Sequence, residues 1–187
     1  MLERQRWVRL LAPLVLLLGL ACGPCNLLSS DVPTPPRPIA VSTESATQLE
    51  SRIRQNLSGE PGQQFILRMT DAEVTSLVAT QLAKYDESPV ADPQIWFTKG
   101  KVYTSGRLVN VLPVETDIFM ISSARIADGR VTVEIEEASA GALPVPAGVL
   151  DTISQSVNET VAELQLEVQV TALEILEGEA IVKGVRK

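Results

Sequence analysis

Apolar positions recur along this chain with two different spacings, one typical of helices and one typical of strands. Helical spacing first occurs in residues 45–57, whose apolar positions are Ala46, Leu49, Ile53 and Leu57. A second helix is predicted after Thr70, because Thr70 and Glu73 have the spacing of a capping box. Its apolar residues share one face and are Val74, Leu77, Val78, Leu82 and Tyr85. A third begins near Pro146, a residue suited to a first helical position.

Alternating segments between glycine and proline signals predict the strands. They cover residues 63–69, 94–98, 101–111, 114–126, 130–138, 166–176 and 179–185. Asp128 and Gly129 form the clearest hairpin signal, and Glu177 and Gly178 mark another turn. In residues 114–126 the even-numbered positions are mostly apolar, so one face of this strand is predicted to be covered. The order αβαββββαββ therefore predicts an α+β fold, with an antiparallel sheet and two long amphipathic helices against its apolar face.

The N-terminal segment has the composition of a sequence that directs export and anchors the chain. Arg4, Arg6 and Arg9 precede an apolar stretch, residues 10–21, of the length that export signals use. This stretch ends in Gly-Leu-Ala before Cys22, which resembles the lipobox at which bacterial lipoproteins are cleaved and acylated. We therefore interpret residues 1–21 as a signal peptide and Cys22 as the lipidation site. Two alternatives stay open: cleavage with simple secretion, and an uncleaved membrane-spanning helix.

A proline-rich segment separates this leader from the folded part of the chain. Within residues 29–43 the prolines are Pro33, Pro35, Pro36 and Pro38. Proline at this density holds a chain extended, at about 3.1 Å per residue. The sequence therefore predicts a tether over residues 22–43 and one domain over residues 44–187. It predicts a location outside the cytoplasm, anchored to the cell membrane as bacterial lipoproteins are.

Charge and composition argue against several classes of function. The formal net charge is −7, and because residues 1–21 contain three arginines and one glutamate, the remainder carries −9. So acidic a domain repels phosphate backbones, which argues against a nucleic-acid partner. The chain has no histidine, and both cysteines, Cys22 and Cys25, precede the domain. A serine nucleophile would lack its usual base, so we predict no enzyme, no metal site and no cofactor. Glu134 and Glu136 are interpreted as a solvated strand face.

Four short stretches of the domain resemble the LmeA-type phospholipid-binding proteins of bacteria. They are TDAEVTSL (residues 70–77), VADPQIWF (90–97), GKVYTSG (100–106) and EASAGALPVP (137–146). The likeness covers residues 65–185. It implies the architecture of the TULIP-like lipid carriers, in which a helix lies along a strongly curved sheet and an acyl chain fits between them. It also implies that the protein binds phospholipid or another acyl lipid in an apolar groove, without catalysis.

Alternation along the predicted elements identifies the side chains that would line such a groove. They are Leu77, Phe97, Leu108, Ile118, Met120, Val133, Ile135, Leu150 and Ile153. The same side chains could instead fill an ordinary packed core. The domain would then be an interaction or structural module whose acidic outer face docks to an envelope protein. A third alternative is an enzyme acting on lipid-linked sugars, because LmeA-type proteins are associated with glycolipid assembly.

Trp96 and Phe97 are neighbours in a predicted strand, so their side chains must point to opposite faces. If Phe97 faces inward, Trp96 either reaches a membrane interface or packs beneath the helix of residues 46–57. The sequence favours the packed position.

Overall fold

The computed structural model describes residues 38–84, 90–109, 115–145, 147–164 and 167–187. Its helices are α1 (Thr43–Leu57), α2 (Asp71–Leu82) and α3 (Ala147–Leu164). Its strands are β1 (Gln64–Thr70), β2 (Val90–Thr98), β3 (Lys101–Leu108), β4 (Thr116–Ala127), β5 (Arg130–Ala140), β6 (Leu143–Pro144), β7 (Val168–Ile175) and β8 (Glu179–Arg186). None of these described helices has both the length and the apolarity that a membrane crossing requires. The predicted leader and Cys22 lie outside the described residues.

The α+β class is confirmed, but the strands form two antiparallel sheets where the sequence predicted one. A three-stranded sheet has the order β1-β8-β7, and a five-stranded sheet has the order β2-β3-β4-β5-β6. β8, in the last hairpin, pairs with β1, the first strand. Alternation within a segment does not indicate which distant strand the segment pairs with. The sequence also missed β6, since a strand of two residues is too short to show alternation. The observed order is therefore αβαβββββαββ.

The tight turns of the five-stranded sheet have the backbone that two-residue hairpins favour. Asp128 and Gly129 have φ values of 51° and 73°, and Lys99 and Gly100 have values of 49° and 80°. Positive φ at both central positions matches the right-handed twist of the flanking strands. Glycine at the second position tolerates this backbone without a Cβ clash. The predicted hairpin at residues 128–129 is thus confirmed, and Lys99 and Gly100 form a hairpin turn.

Side-chain caps stabilise the N-termini of α1 and α2, and the cap of α2 was predicted from the sequence. The capping box of α2 is confirmed: Thr70 accepts from the Glu73 N–H, and Glu73 accepts from the Thr70 N–H. The Ser42 side chain caps α1 by accepting from Ser45 N–H at 3.3 Å. The Ser42 N–H donates to Ser76 Oγ at 3.0 Å, which links the start of α1 to α2. The sequence assigned residues 38–43 to the tether, yet Ser42 takes part in these domain contacts.

The core is made of branched aliphatic and aromatic side chains from both sheets and from α1. Its buried apolar members are Ala46, Leu49, Phe65, Ile95, Trp96, Phe97, Phe119, Ile135, Val168, Val170, Ala180 and Ile181. Three consecutive residues of β2 are in this set, so both faces of β2 are covered. Trp96 is only 5% exposed, which confirms a buried position, but the rings that it contacts belong to β3 and β4 and not to α1. Its ring stacks on Tyr103, with centroids 5.5 Å apart, and lies 6.2 Å from the Phe119 ring.

An ion pair between α1 and α2 gives the fold a measurable dependence on pH. Arg52 Nη2 lies 2.7 Å from Glu73 Oε2. Burial acts to raise the pKa of Glu73, but hydrogen bonds from Arg52 and Thr70 and the Arg52 charge together hold that pKa below its ordinary value. The folded state therefore favours the ionised carboxylate of Glu73.

We expect Glu73→Gln to lower the free energy of unfolding by about 0.5–1 kcal/mol at neutral pH, the range for a partly exposed pair. Glutamine still completes a capping box, so the decrease in stability measures the contribution of the Glu73 charge alone. Because the pKa of Glu73 is lowered on folding, the ionised carboxylate stabilises the folded state above the ordinary pKa of 4.5, and this stabilisation disappears as pH falls through the folded pKa. Urea denaturation of both proteins at neutral and acidic pH measures this difference. A difference that does not change with pH would contradict the assignment.

Candidate functional site

The strand register brings six of the predicted groove residues to one face of the five-stranded sheet. Across β2 to β5, Phe97 pairs with Val102, Val102 with Ser122, and Ser122 with Ile135. The next rows are Ile95, Thr104, Met120 and Ala138, then Gly106, Ile118 and Ala140, then Val90, Leu108 and Thr116. Val133 lies beside Ala124 on the other side of the first row. We call this surface the apolar face, because its paired positions carry no charged side chain.

Burial along the apolar face is greatest in the first row and decreases towards Leu108, and the pair of Ala124 and Val133 on the other side of the first row is also half-buried. Phe97 and Ile135, in the first row, are 6% and 8% exposed. Met120, Ile118 and Leu108, in the following rows, are only half-buried. The three-stranded sheet contacts the five-stranded sheet at the buried end, where Gly178 N–H donates to Phe97 O at 3.0 Å. We call the first row the buried end of the apolar face, and the rows of Met120, Ile118 and Leu108 its accessible end.

Small side chains flank the central strand at the accessible end. Thr104 and Gly106 lie on the β3 side of Met120 and Ile118, and two alanines lie on the β5 side. A Cβ at Gly106 would lie 3.1 Å from Val90 Cγ1 and 3.2 Å from the Ala91 carbonyl oxygen, so this close approach of β2 favours glycine. Met120 and Ile118 therefore form an apolar ridge along β4. A shallow strip of small side chains lies on each side of it, on β3 and on β5.

Helix α2 takes the place of a further strand at the β2 edge of this sheet. The Ile95 N–H donates to Thr75 Oγ1 at 2.9 Å. The Thr75 hydroxyl in turn donates to the Ile95 carbonyl oxygen, also at 2.9 Å. The Phe97 N–H donates to Asp71 Oδ1 at 2.8 Å. These side chains satisfy backbone groups that an edge strand otherwise leaves unpaired. They hold the start of α2 against the sheet.

Helix α3 satisfies the backbone of β5 in the same way, along the part of β5 that the short strand β6 does not pair with. The Asn158 side chain accepts from Val133 N–H at 2.7 Å and donates to Val133 O at 2.7 Å. The Ile135 N–H donates to Ser154 Oγ at 3.1 Å. The Asn158 carboxamide thus makes the two hydrogen bonds to Val133 that a residue of a neighbouring strand would make. The apolar face consequently lies between two helices that are fixed to opposite edges of the sheet.

The sequence misjudged which side of α2 is buried. Four residues of the predicted apolar stripe, Val74, Leu77, Val78 and Leu82, are only half-buried, and the fifth, Tyr85, lies outside the described residues. Thr75 and Ser76 are instead completely buried. Thr75 bonds the β2 edge and Ser76 accepts from Ser42, so polar contacts decide the orientation of this helix. The remaining predicted groove residues, Leu150 and Ile153, lie in α3, and their side chains lie outside the described part.

A separate cleft of about 840 Å³ lies near the N-terminal end of the described chain. Its lining residues include Ile39, Asp71, Trp96, Phe97 and Glu177. Phe97 is the one predicted groove residue in this lining, so the cleft is distinct from the accessible end of the apolar face. Burial raises the pKa of Asp71, the Phe97 N–H lowers it, and the nearby charge of Glu177 raises it, with a net upward shift. In the described ranges, no group of three His, Cys, Asp or Glu side chains could hold a metal ion.

The acidic residues of β5 are engaged in a surface ion pair. Lys101 Nζ donates to Glu136 Oε1. The hydrogen bond from Lys101, together with one from Ser123, lowers the pKa of Glu136. Glu134 and Glu137 are exposed. All three glutamates of β5 are therefore solvent-exposed, and Glu136 is paired with Lys101.

Comparison with known proteins found no matching family model and no matching curated protein.

Proposed function

We propose that this protein is a membrane-tethered lipoprotein outside the cytoplasm that binds phospholipid or another acyl lipid along the apolar face. The observation that carries the proposal is the partial exposure of Leu108, Ile118 and Met120 in the interior of a five-stranded sheet. Side chains of this type are ordinarily buried when they occupy the middle of a packed core. Their exposure between two edge-bound helices supports a surface that is completed by an apolar ligand.

An acyl chain matches this surface in chemistry and in shape. Each methylene group that leaves water contributes about 0.8 kcal/mol to binding, so a partly buried chain needs no strong polar contact. The two shallow strips beside Met120 and Ile118 run along β3 and β5 and are lined by small side chains. We further propose that the sheet curves around the bound chain, with α2 and α3 as its walls. The resemblance to LmeA-type proteins supports the same ligand class.

The competing account is an envelope interaction module with a filled core. The burial of Phe97, Ser122 and Ile135 favours it at one end of the apolar face. The half-buried rows at the other end favour the lipid account. Binding of a fluorescent fatty acid by the full chain separates the two. Saturable binding that unlabelled phospholipid displaces is the expected result, and a chain that binds no probe would leave the interaction module as the better account.

Replacing Cys22 by serine is expected to move the protein from the membrane fraction to the soluble fraction of the cells that produce it. Serine cannot carry the thioether-linked lipid, and a Gly-Leu-Ala-Ser sequence lacks the cysteine that the lipobox requires. Cys25→Ser is the matched control, three residues further along, and should stay with the membrane. The measurement is an immunoblot of the two fractions. Retention of the Cys22 variant would contradict lipid anchoring and favour an uncleaved helix.

A further inference from the structure

One exposed hairpin stands out from the acidic surface because it carries no charge. Residues 138–150 contain no Asp, Glu, Lys or Arg, in a chain whose part beyond residue 21 has a net charge of −9. Within this run Gly141, Ala142, Leu143 and Pro144 are all exposed. Leu143 is 73% exposed, more than any other large apolar side chain in the described ranges. We call residues 141–144 the β5–β6 tip.

Two backbone N–H groups, one in the β5–β6 tip and one directly after it, have partners within the protein. The Gly141 N–H donates to Asp117 O at 2.7 Å, and the Val145 N–H donates to Ala138 O at 2.9 Å. Pro144 has no N–H to satisfy. Backbone groups that enter an apolar medium must have internal partners, because each unsatisfied group costs several kcal/mol. The partners of Gly141 and Val145, and the missing N–H of Pro144, lower the cost of placing this part of the hairpin in lipid.

The β5–β6 tip continues directly from the accessible end of the apolar face. Leu143 pairs with Ala140, and Ala140 pairs with Ile118. The buried end of the face lies instead beside the β7–β8 turn, where Leu176 is 42% exposed. Two exposed leucines thus mark opposite ends of the same surface.

We propose that the β5–β6 tip inserts into the interfacial region of a lipid bilayer with an uncharged, zwitterionic headgroup surface. This inference rests on the proposed function, because insertion would place the accessible end of the apolar face against the source of its ligand. Exposed carboxylates lie close to the tip at Glu115 and Asp117. Arg107 pairs with both Glu115 and Asp92, so this group of three carboxylates and one guanidinium carries a net negative charge and would repel anionic lipid.

Site-specific quenching by lipid nitroxides tests the proposal in the anchored, full-length protein. Leu143→Cys and Leu176→Cys, each combined with Cys25→Ser, are labelled with an NBD fluorophore and reconstituted into phosphatidylcholine vesicles. The Cys25→Ser protein without a new cysteine provides the background. Nitroxide-bearing phosphatidylcholine is expected to quench the dye at position 143 at least severalfold more than the dye at position 176. Replacing part of the lipid with phosphatidylglycerol is expected to weaken the quenching at position 143.

Equal quenching at the two positions would overturn the tip proposal. Stronger quenching in anionic vesicles would also overturn it, since the bordering carboxylates would then have no effect. The fatty-acid assay on the same protein separates this outcome from the proposed function. Probe binding without selective quenching refutes only the tip, whereas selective quenching without probe binding supports the tip and removes the acyl-binding function.

Discussion

Replacing Trp96 by alanine is expected to lower the free energy of unfolding by about 3–5 kcal/mol, the range for large aromatic side chains in a core. Trp96 is 5% exposed and its ring contacts both Tyr103 and Phe119. Its deletion leaves a cavity beneath two further aromatic rings, which pack at 6.1 Å from each other. A domain of ordinary stability has about 5–15 kcal/mol in total, so this one change would remove a large fraction of it.

The loss at Trp96 also separates the two positions that the sequence allowed for this side chain. A tryptophan that reaches a membrane interface would contribute little to the stability of the protein in water. Trp96→Phe, which retains a ring, should lose much less than Trp96→Ala. Urea denaturation followed by far-ultraviolet circular dichroism measures all three proteins without relying on tryptophan fluorescence. A loss below about 1 kcal/mol for Trp96→Ala would contradict the packed arrangement.

Replacing Met120 by tryptophan is expected to abolish binding of a fatty-acid probe while leaving the urea midpoint nearly unchanged. Met120 is half-buried on the central ridge of the apolar face, with Thr104 and Ala138 as its paired neighbours. The added indole would occupy the space beside these small side chains. In a filled core the same enlargement would cost about 1–3 kcal/mol through strained rotamers and displaced backbone.

Two control variants make the result at Met120 specific. Ile121→Trp adds the same ring on the opposite face of the same strand, also at a half-buried position, and should leave probe binding intact. Ile135→Trp enlarges a side chain at the buried end of the apolar face and should be destabilising. Strong destabilisation by Met120→Trp, in a wild-type protein that binds no probe, would refute a lipid surface.

Features that depend on neighbouring residues were predicted well from the sequence. The Thr70 and Glu73 capping box and the Asp128 and Gly129 turn were both correct, because short-range hydrogen bonds and φ preferences decide them. The sheet division was not predicted, because β8 pairs with β1 across more than a hundred residues of chain. The hydrophobic pattern within each strand is compatible with either partner.

The placement of the helices depended on polar residues whose role the pattern did not reveal. Thr75, Ser154 and Asn158 satisfy the two edges of the five-stranded sheet. Each occurs within a helix whose apolar stripe dominated the prediction. Small polar side chains in otherwise apolar amphipathic helices were the available signal. Such side chains indicate contact with a strand edge only when the order of the strands is known. The positions of α2 and α3 at the two edges of the sheet could therefore not be predicted from the sequence.

Native mass spectrometry of the full-length protein, purified from its cells in mild detergent, tests the lipid-binding claim most directly. Lipid attached covalently at Cys22 persists under denaturing conditions, whereas lipid held on the apolar face is lost, so the difference between native and denatured masses isolates the bound ligand. The account predicts a mass difference equal to one or more phospholipids or fatty acids, greatly reduced in Met120→Trp and retained in Ile121→Trp. Identical native and denatured masses for the wild-type protein, together with no binding of added lipid, would contradict it.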